Sequence, residues 1–424
     1  MYYRGRSAQV AQAQVKAAVS SAPAVLAALP VSHQGVPSGA ASISAPRLAV
    51  VKVSGSIPAA PFSNSQYIEF QLPKSTVGLV TDCDLELTMD FSTSDGDGVD
   101  ITVPPTPFLL QRLEIVIGSN VVETNEDHEL WLENCVWRHT DDQAANANSW
   151  NCTSALAVAP SFNVASGTTV RKTWLVPFGR GNFLFPANPY LKGLGATSLA
   201  LRCYFTSSPT ITVFQSGSST PSTCTVALPN AQLYLTEAAL SAEAEASLAA
   251  KYARGVKLPT VLRKKAPSLP FTSLSNASPT QIQLQSFQGA GATAALLVYV
   301  EPIAPTVPDR IRHKEIASWS MNDAGNTQMI INTPESLILK EQSKQLPVST
   351  GAIANPSHSY VLPFCSNLGS VLEGHYAKHF RLTGQESILI TPVSSETNVR
   401  TQFVAYQYAE ATAAGGLLNV AARS

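Results

Sequence analysis

Charge is scarce in this chain. Asp, Glu, Lys and Arg make up 13% of its 424 residues, against about 25% in ordinary soluble domains. A surface so thinly decorated is expected to face other protein more than water. The formal net charge of −1 excludes a strongly basic body that holds nucleic acid by bulk electrostatics. Long apolar runs are missing as well: no stretch reaches the roughly 18 residues that a membrane-spanning helix needs. The six cysteines, Cys83, Cys135, Cys152, Cys203, Cys224 and Cys365, form no CxxC pair and have no histidine at zinc-finger spacing. They are expected to be small buried hydrophobes in a reducing compartment, not a disulfide or metal framework.

Catalytic signatures are lacking too. There is no GxxxxGK[ST], no GxSxG and no GxGxxG after a strand. Asp127-His128-Glu129 would need a second histidine one helical turn on, and Leu132 stands there. His139 reads as a helix C-terminal histidine, Arg312-His313-Lys314-Glu315 as a polar run beside a strand, and His375 with His379 as a pair without an acid at metal spacing. Asn151-Cys152-Thr153 and Asn276-Ala277-Ser278 match a glycosylation pattern. The N-terminus, however, places Gln and Lys where a signal peptide needs an unbroken apolar stretch. The expectation is a protein that is not an enzyme and takes no cofactor or metal.

What is present is β structure: 29 prolines and 24 glycines among Ser/Thr-rich stretches imply many turns and short strands. The clearest unit is Leu109 to Thr140. Leu113, Ile115 and Ile117 alternate with Arg112, Glu114 and Val116, Gly118-Ser119-Asn120 turns, and Val121 and Val122 resume an extended run. Thr124 or Asn125 is then expected to cap a short helix. The same grammar returns at Ile311 to Lys344, with Thr333-Pro334-Glu335 opening the second helix. Around these units five further stretches correspond in the same order. TQIQLQSF answers YIEFQL, ATAALLVYVEP answers CDLELTMDF, and SYVLPF answers WLVPF. SILI answers SLAL, and Arg400 to Tyr408 answers the strand ending at Leu235.

The expected organisation is an N-terminal arm over residues 1–45, a first β domain over 46–236, a helical and basic connection over 237–268, a second β domain over 269–410 and a small-residue tail over 411–424. The arm is Ala-rich and helix-favouring from Ala8 to Leu29. It is expected to pack under a neighbouring subunit or against lipid, with a disordered terminus as the alternative. The connection opens with the helical EAALSAEAEASLAAKYARG, acids first and bases last. From Lys251 to Lys265 it carries six bases and no acid. Phosphates of lipid headgroups or of a packaged genome are one use for these bases, and a solvated linker is the blander one.

Two tandem domains of this pattern resemble the double jelly-roll major capsid proteins, the lineage of adenovirus hexon and the tectivirus-like, membrane-containing phages. The residues carrying the resemblance are Leu110-Gln-Arg-Leu-Glu-Ile-Val-Ile with its turn, Asp127-His-Glu-Leu-Trp-Leu, Leu175-Val-Pro-Phe, and Phe403-Val-Ala-Tyr-Gln-Tyr. The implied fold is all-β: two eight-stranded jelly rolls in tandem, each with an inserted short helix, plus an N-terminal helical arm. The implied function is a structural coat protein that self-assembles as pseudo-hexagonal homotrimers tiling an icosahedral shell. It would be made in the host cytoplasm and located in the virion. Implied partners are further copies of itself, minor capsid or penton proteins and an internal membrane, without sequence-specific nucleic acid. Loops shorter than those of hexon favour a small phage-type capsid. Candidate inner-face contacts to lipid or genome are Arg4, Arg6, Lys16, Arg254, Lys257, Arg263, Lys264 and Lys265. The competing expectation is a tandem β-sandwich module that binds carbohydrate or protein. It is disfavoured because only Trp150 of the five tryptophans falls clearly in a loop.

Overall fold

The computed structural model of the chain describes residues 47–59, 65–74, 78–94, 96, 98–101, 110–126, 162–176, 178, 183–185, 189–205, 210–214, 221–287, 291–304, 313–323, 328–334, 358–365 and 380–422. The expected arm, with Arg4, Arg6 and Lys16, lies outside these residues, as do the two short helices expected after Glu126 and after Pro334.

The first half contains β1 (Arg47–Lys52), β2 (Tyr67–Gln71), β3 (Gly78–Ser92), β4 (Val99–Ile101), β5 (Leu110–Ile117), β6 (Asn120–Glu126), β7 (Phe162–Val164), β8 (Thr169–Val176), β9 (Leu199–Phe205), β10 (Thr210–Phe214) and β11 (Pro221–Ala239). Helix α1 (Ala242–Arg254) follows. The second half contains β12 (Val256–Lys265), β13 (Leu269–Leu274), β14 (Thr280–Gln283), β15 (Gly291–Pro302), β16 (Ile316–Asn322), β17 (Gln328–Pro334), β18 (Tyr360–Pro363), β19 (Phe380–Leu382), β20 (Ser387–Pro392), β21 (Glu396–Ala414) and β22 (Leu417–Ala422).

All the pairings between these strands are antiparallel. One sheet of the first half runs β1-β11-β3-β8, with β10 beside β11, and the other runs β2-β9-β5-β6. The second half repeats this as β12-β21-β15-β18, with β13, β19 and β22 added along it, and β14-β20-β16-β17. The last long strand of each half thus lies between an early strand and the long strand that follows it, β11 between β1 and β3 and β21 between β12 and β15, while the strands in between are dealt to both sheets. That interleaving is the jelly-roll arrangement, present twice. The six stretches that correspond in sequence occupy corresponding places in the two pairs of sheets.

Alternation builds the first core. Along β3, Cys83, Leu85, Leu87, Met89 and Phe91 are fully buried while the residues between them are half-exposed. They pack with Leu113 and Ile115 of β5, Leu201 and Cys203 of β9, and Leu233 and Leu235 of β11. The corresponding strand of the second half behaves differently: every residue of β15 from Gly291 to Glu301 is buried. Its even positions, Leu296, Val298 and Val300, join the second core. Its odd positions, Leu297 and Tyr299, face the other way and are equally shut off from water. A continuous apolar run, in place of alternation, marks a strand covered on both faces.

Several expectations need correction. The basic stretch after α1 is no loose connection; it is β12, first strand of the second jelly roll, in unbroken register with β21 from Val256↔Ala413 to Lys265↔Val404. Pro259 is tolerated there because β12 has an unpaired edge, where a missing N–H costs no ladder bond. Likewise, Thr124 and Asn125 are strand residues of β6, paired with Glu114 and Leu113 inside the β5–β6 hairpin. Thr333 and Pro334 end the edge strand β17, opposite Trp319 and Ser318. The small-residue tail is structured: Ala411–Ala414 complete β21, Gly415-Gly416 turn at φ +59° and +83°, and β22 folds back.

The helix agrees with its sequence. Ser241 Oγ accepts from the Ala244 N–H at 3.2 Å, Glu243 and Glu245 lie in the first turn, and Lys251 and Arg254 in the last. Gly255 at φ +120° ends it, its N–H on the Lys251 carbonyl, as capping and dipole rules require. Tyr252 of α1 packs edge-on against Tyr190, and a β-carbon added at Gly193 would lie 2.6 Å from the Tyr252 ring and 2.7 Å from the Tyr190 ring. Both rings are buried, so neither has room to yield. Gly193→Ala is therefore expected to cost about 1–3 kcal/mol by overpacking, read as a lowered midpoint in urea unfolding.

Candidate assembly surfaces

The two jelly rolls do not meet as separate globules. Val256 and Leu258 of β12, Ala411 and Ala413 of β21, and Leu418 of β22 belong to the same buried cluster as the core of the first half. The β21–β22 hairpin is tied down by polar bonds as well. The Ala196 N–H and the Thr197 hydroxyl donate to the Gly416 carbonyl at 3.0 and 2.9 Å, and Thr197 Oγ1 accepts from the Leu418 N–H at 2.9 Å.

Deeper in this junction sits an ion pair. Glu123 of β6 is 2% exposed and Arg263 of β12 is 8% exposed. The Glu123 carboxylate accepts from the backbone N–H of Phe183 at 2.8 Å and of Arg263 at 3.0 Å, with the Arg263 guanidinium at 3.5 Å. The guanidinium also lies 5.4 Å from the centre of the Tyr406 ring. Beside it, the Thr260 hydroxyl donates to the Phe183 carbonyl. A carboxylate with this many donors can remain ionised away from water.

The candidate basic residues are therefore dispersed. Arg263 is removed from the list of phosphate contacts, because its charge is buried and neutralised inside the chain. Lys257 is exposed and bridges to Glu410 at 2.9 Å. Lys264 is exposed, and alternation puts it on the opposite face of β12 from Lys257. Lys265 is half-buried with its amine 3.4 Å from the Tyr299 hydroxyl. Arg254 is exposed in the last turn of α1. Six bases close in sequence thus do not make one basic face.

No group of three or more potential metal ligands exists among the described residues. His313 is buried and stacks on Tyr299 with ring centroids 4.4 Å apart, and Lys314 pairs with Glu396 at 3.1 Å. Cys83, Cys203, Cys224 and Cys365 are buried and form no disulfide, and burial pushes the Cys224 thiol up to about 11, away from nucleophilic chemistry at neutral pH. Asp127, His128, Glu129, His139, His375 and His379 lie outside the described residues.

No family model and no curated protein matches this chain. Solved structures do. The chain superposes on VP54 of the virus PBCV-1 with a TM-score of 0.61 at 14% identity, over 89% of this chain and 97% of that one. It superposes on the Faustovirus major capsid protein with a TM-score of 0.53 at 9% identity, over 91% of each. For a chain of the Sputnik virophage the TM-score is 0.52 at 12% identity, over 89% and 88%. The fold is the double jelly roll. It is shared over about nine-tenths of the chain with proteins of 9–14% sequence identity.

What the sequence reading missed is the junction. Glu123 and Arg263 lie 140 residues apart, and nothing local marks either as buried. The available signal was the contrast between β3, which alternates, and β15, whose run is almost wholly apolar: one strand has a water-facing side and the other has none.

Two outcomes follow for the junction. Glu123→Ala breaks the buried pair with Arg263 and is expected to cost about 3–5 kcal/mol, whereas the paired change Glu123→Leu with Arg263→Met should recover most of that, as measured by chemical denaturation. The second outcome concerns pH. The Lys192 ammonium, hydrogen-bonded to Glu245, holds that carboxyl below its usual range. Burial, reinforced by the Glu245 carboxylate, pushes the Tyr190 hydroxyl up to about 12. The contribution of Glu245 is thus complete above about pH 4.3 and lost as pH falls through its lowered value. That of Tyr190 is complete below about pH 10 and lost as pH rises towards 12. Melting temperature should fall on both flanks, and Tyr190→Phe should flatten the alkaline one.

Proposed function

We propose that this chain is a viral major capsid protein that acts by self-assembly: a homotrimer in which three copies of two like domains present six like corners to an icosahedral lattice. The observation that carries this reading is the repetition of one strand order in two halves that share buried contacts. It is supported by end-to-end likeness to proteins that include the Faustovirus major capsid protein and by the PBCV-1 capsid. Sparse charge fits the same role, since lateral contacts in such a lattice bury thousands of square ångströms of mostly apolar surface. On this reading the protein resides in the virion after synthesis in the host cytoplasm. Its partners are its own copies, then minor capsid or penton proteins, with no sequence-specific nucleic acid and no catalytic step.

The boundaries at residues 45, 236, 268 and 410 are retained only as approximate domain limits within this proposal. β12 belongs with the second jelly roll and the last strands brace the first. The bases that remain exposed, Arg254, Lys257 and Lys264, together with Arg4, Arg6 and Lys16, are proposed to face lipid or genome inside the shell. A small phage-type particle over an internal membrane is the setting in which an apolar arm and such bases would both find a surface.

The binding-module alternative has one feature in its favour, a groove of about 440 Å³ lined by residues that include Phe271, Gln281, Gln283 and Gln285. Light scattering on the purified full chain separates the readings. The capsid reading expects a species of about three times 44.9 kDa and shells by electron microscopy. A persistent monomer that binds glycans would replace it.

A further inference from the structure

The two sheets of the second jelly roll part along one border, and the strands that meet there are unlike. β13 belongs to the sheet of β21, and β14 ends the described order of the other sheet. Between them runs the groove of about 440 Å³, a size within the roughly 300–1,000 Å³ of small-ligand clefts. The residues that line it are all uncharged. Leu269, Pro270 and Phe271 line it from β13, and Gln281, Gln283 and Gln285 from β14 and the turn that follows.

Alternation sets the chemistry of each wall. Ile282 and Leu284 are buried in the second core, so the three glutamines beside them face outward, and all three are exposed. Side chains two apart on a strand stand about 6–7 Å from each other. The carboxamides thus form a row, each with a donor and an acceptor end. The first is fixed in orientation, since the Gln281 amide donates to Ser387 Oγ at 3.0 Å. On the facing wall Phe271 is half-buried and packed against the second core. Its ring is therefore an apolar plate held in place.

These walls select a type of ligand. An ion meets no counter-charge in the lining. An extended peptide could pair with the backbone groups that Gln281 and Gln283 turn away from β20, the Leu284 N–H being on the Glu386 carbonyl. On the β13 side, however, Pro267 and Pro270 have no N–H to offer it. An uncharged sugar suits both walls. Its hydroxyls donate and accept, as carboxamides do, and its C–H face can lie on the electron-rich face of a phenyl ring.

We propose that the groove between β13 and β14 is a binding site for neutral saccharide, with Gln283 and Gln285 bonding its hydroxyls and Phe271 carrying its ring. This goes beyond the coat role and does not rest on it.

The test titrates maltotetraose, cellotetraose, mannotetraose and the tetramer of N-acetylglucosamine into the purified full chain, followed by saturation-transfer NMR. At least one should bind, with a Kd of about 1 mM or tighter. Gln283→Ala with Gln285→Ala alters exposed side chains, so the melting temperature should hold while affinity falls about 10-fold, the scale of two lost hydrogen bonds. Phe271→Leu keeps an apolar group on the core and should weaken binding similarly. Gln71→Ala, at an exposed glutamine of the first jelly roll, is the control and should bind like the unaltered chain. If none of the four sugars binds, or if the groove variants bind them unchanged, the site is overturned. Equal loss in Gln71→Ala also overturns it, as does binding only of the peptide Thr-Gln-Ile-Gln-Leu-Gln in place of sugar. Light scattering keeps the two readings apart: a chain that assembles and binds sugar supports both, and a chain that binds sugar but stays monomeric ends the self-assembly reading alone.

Discussion

A sheet that is apolar on both faces cannot stand in water on either of them. The second jelly roll contains such a sheet: β15 is buried along nearly its whole length, and Tyr406, Tyr408 and Val404 of β21 point away from the second core yet are shut off from solvent. At roughly 25 cal/mol per Å² of apolar surface, leaving that face open would be among the largest penalties in the molecule. Part of its cover comes from the first jelly roll, which brings Glu123 of β6 onto Arg263 of that face. Glu123 with Arg263, the Tyr190–Tyr252 contact and the anchored β21–β22 hairpin all sit at the resulting junction.

The same constraint explains how the few charges are used. Many of those described are placed against a partner: Arg171 grips Asp90 with two bonds of 2.7 Å, Arg202 holds Glu69, Arg112 holds Glu114, and Arg400 reaches the almost fully buried Glu301. These bonds lie across strands or beside aromatic rings, such as Tyr204 beneath Arg112. For the buried carboxylates Glu114 and Glu301 they supply partners that packing alone would deny, whereas the Arg171 side chain remains largely exposed.

Much of this was legible in the residues themselves. The alternation in Cys83 to Phe91, the turn at Gly118 and the capped helix from Ser241 to Gly255 are local signals, and each produced the element it announces. So did the six ordered correspondences between the halves. Local signals misled where tertiary context overrode them. Pro259 and its neighbouring bases read as a broken linker, but an unpaired edge tolerates proline and a buried carboxylate neutralises Arg263. Thr124 and Thr333 read by their local sequence as helix starts, and the hairpins β5–β6 and β16–β17 extend through both. The Ala- and Gly-rich C-terminus offered no periodicity, yet its small side chains are what let β21 and β22 pass close to Ala196.

By itself, then, the sequence determined the β class, the order of the strands and their duplication, because alternation, turns and caps are written in residues a few places apart. Only the tertiary structure decided that β15 is covered on both sides and which ions are buried. Those outcomes depend on contacts between residues more than a hundred positions apart, and no local pattern encodes what a side chain will meet across that distance.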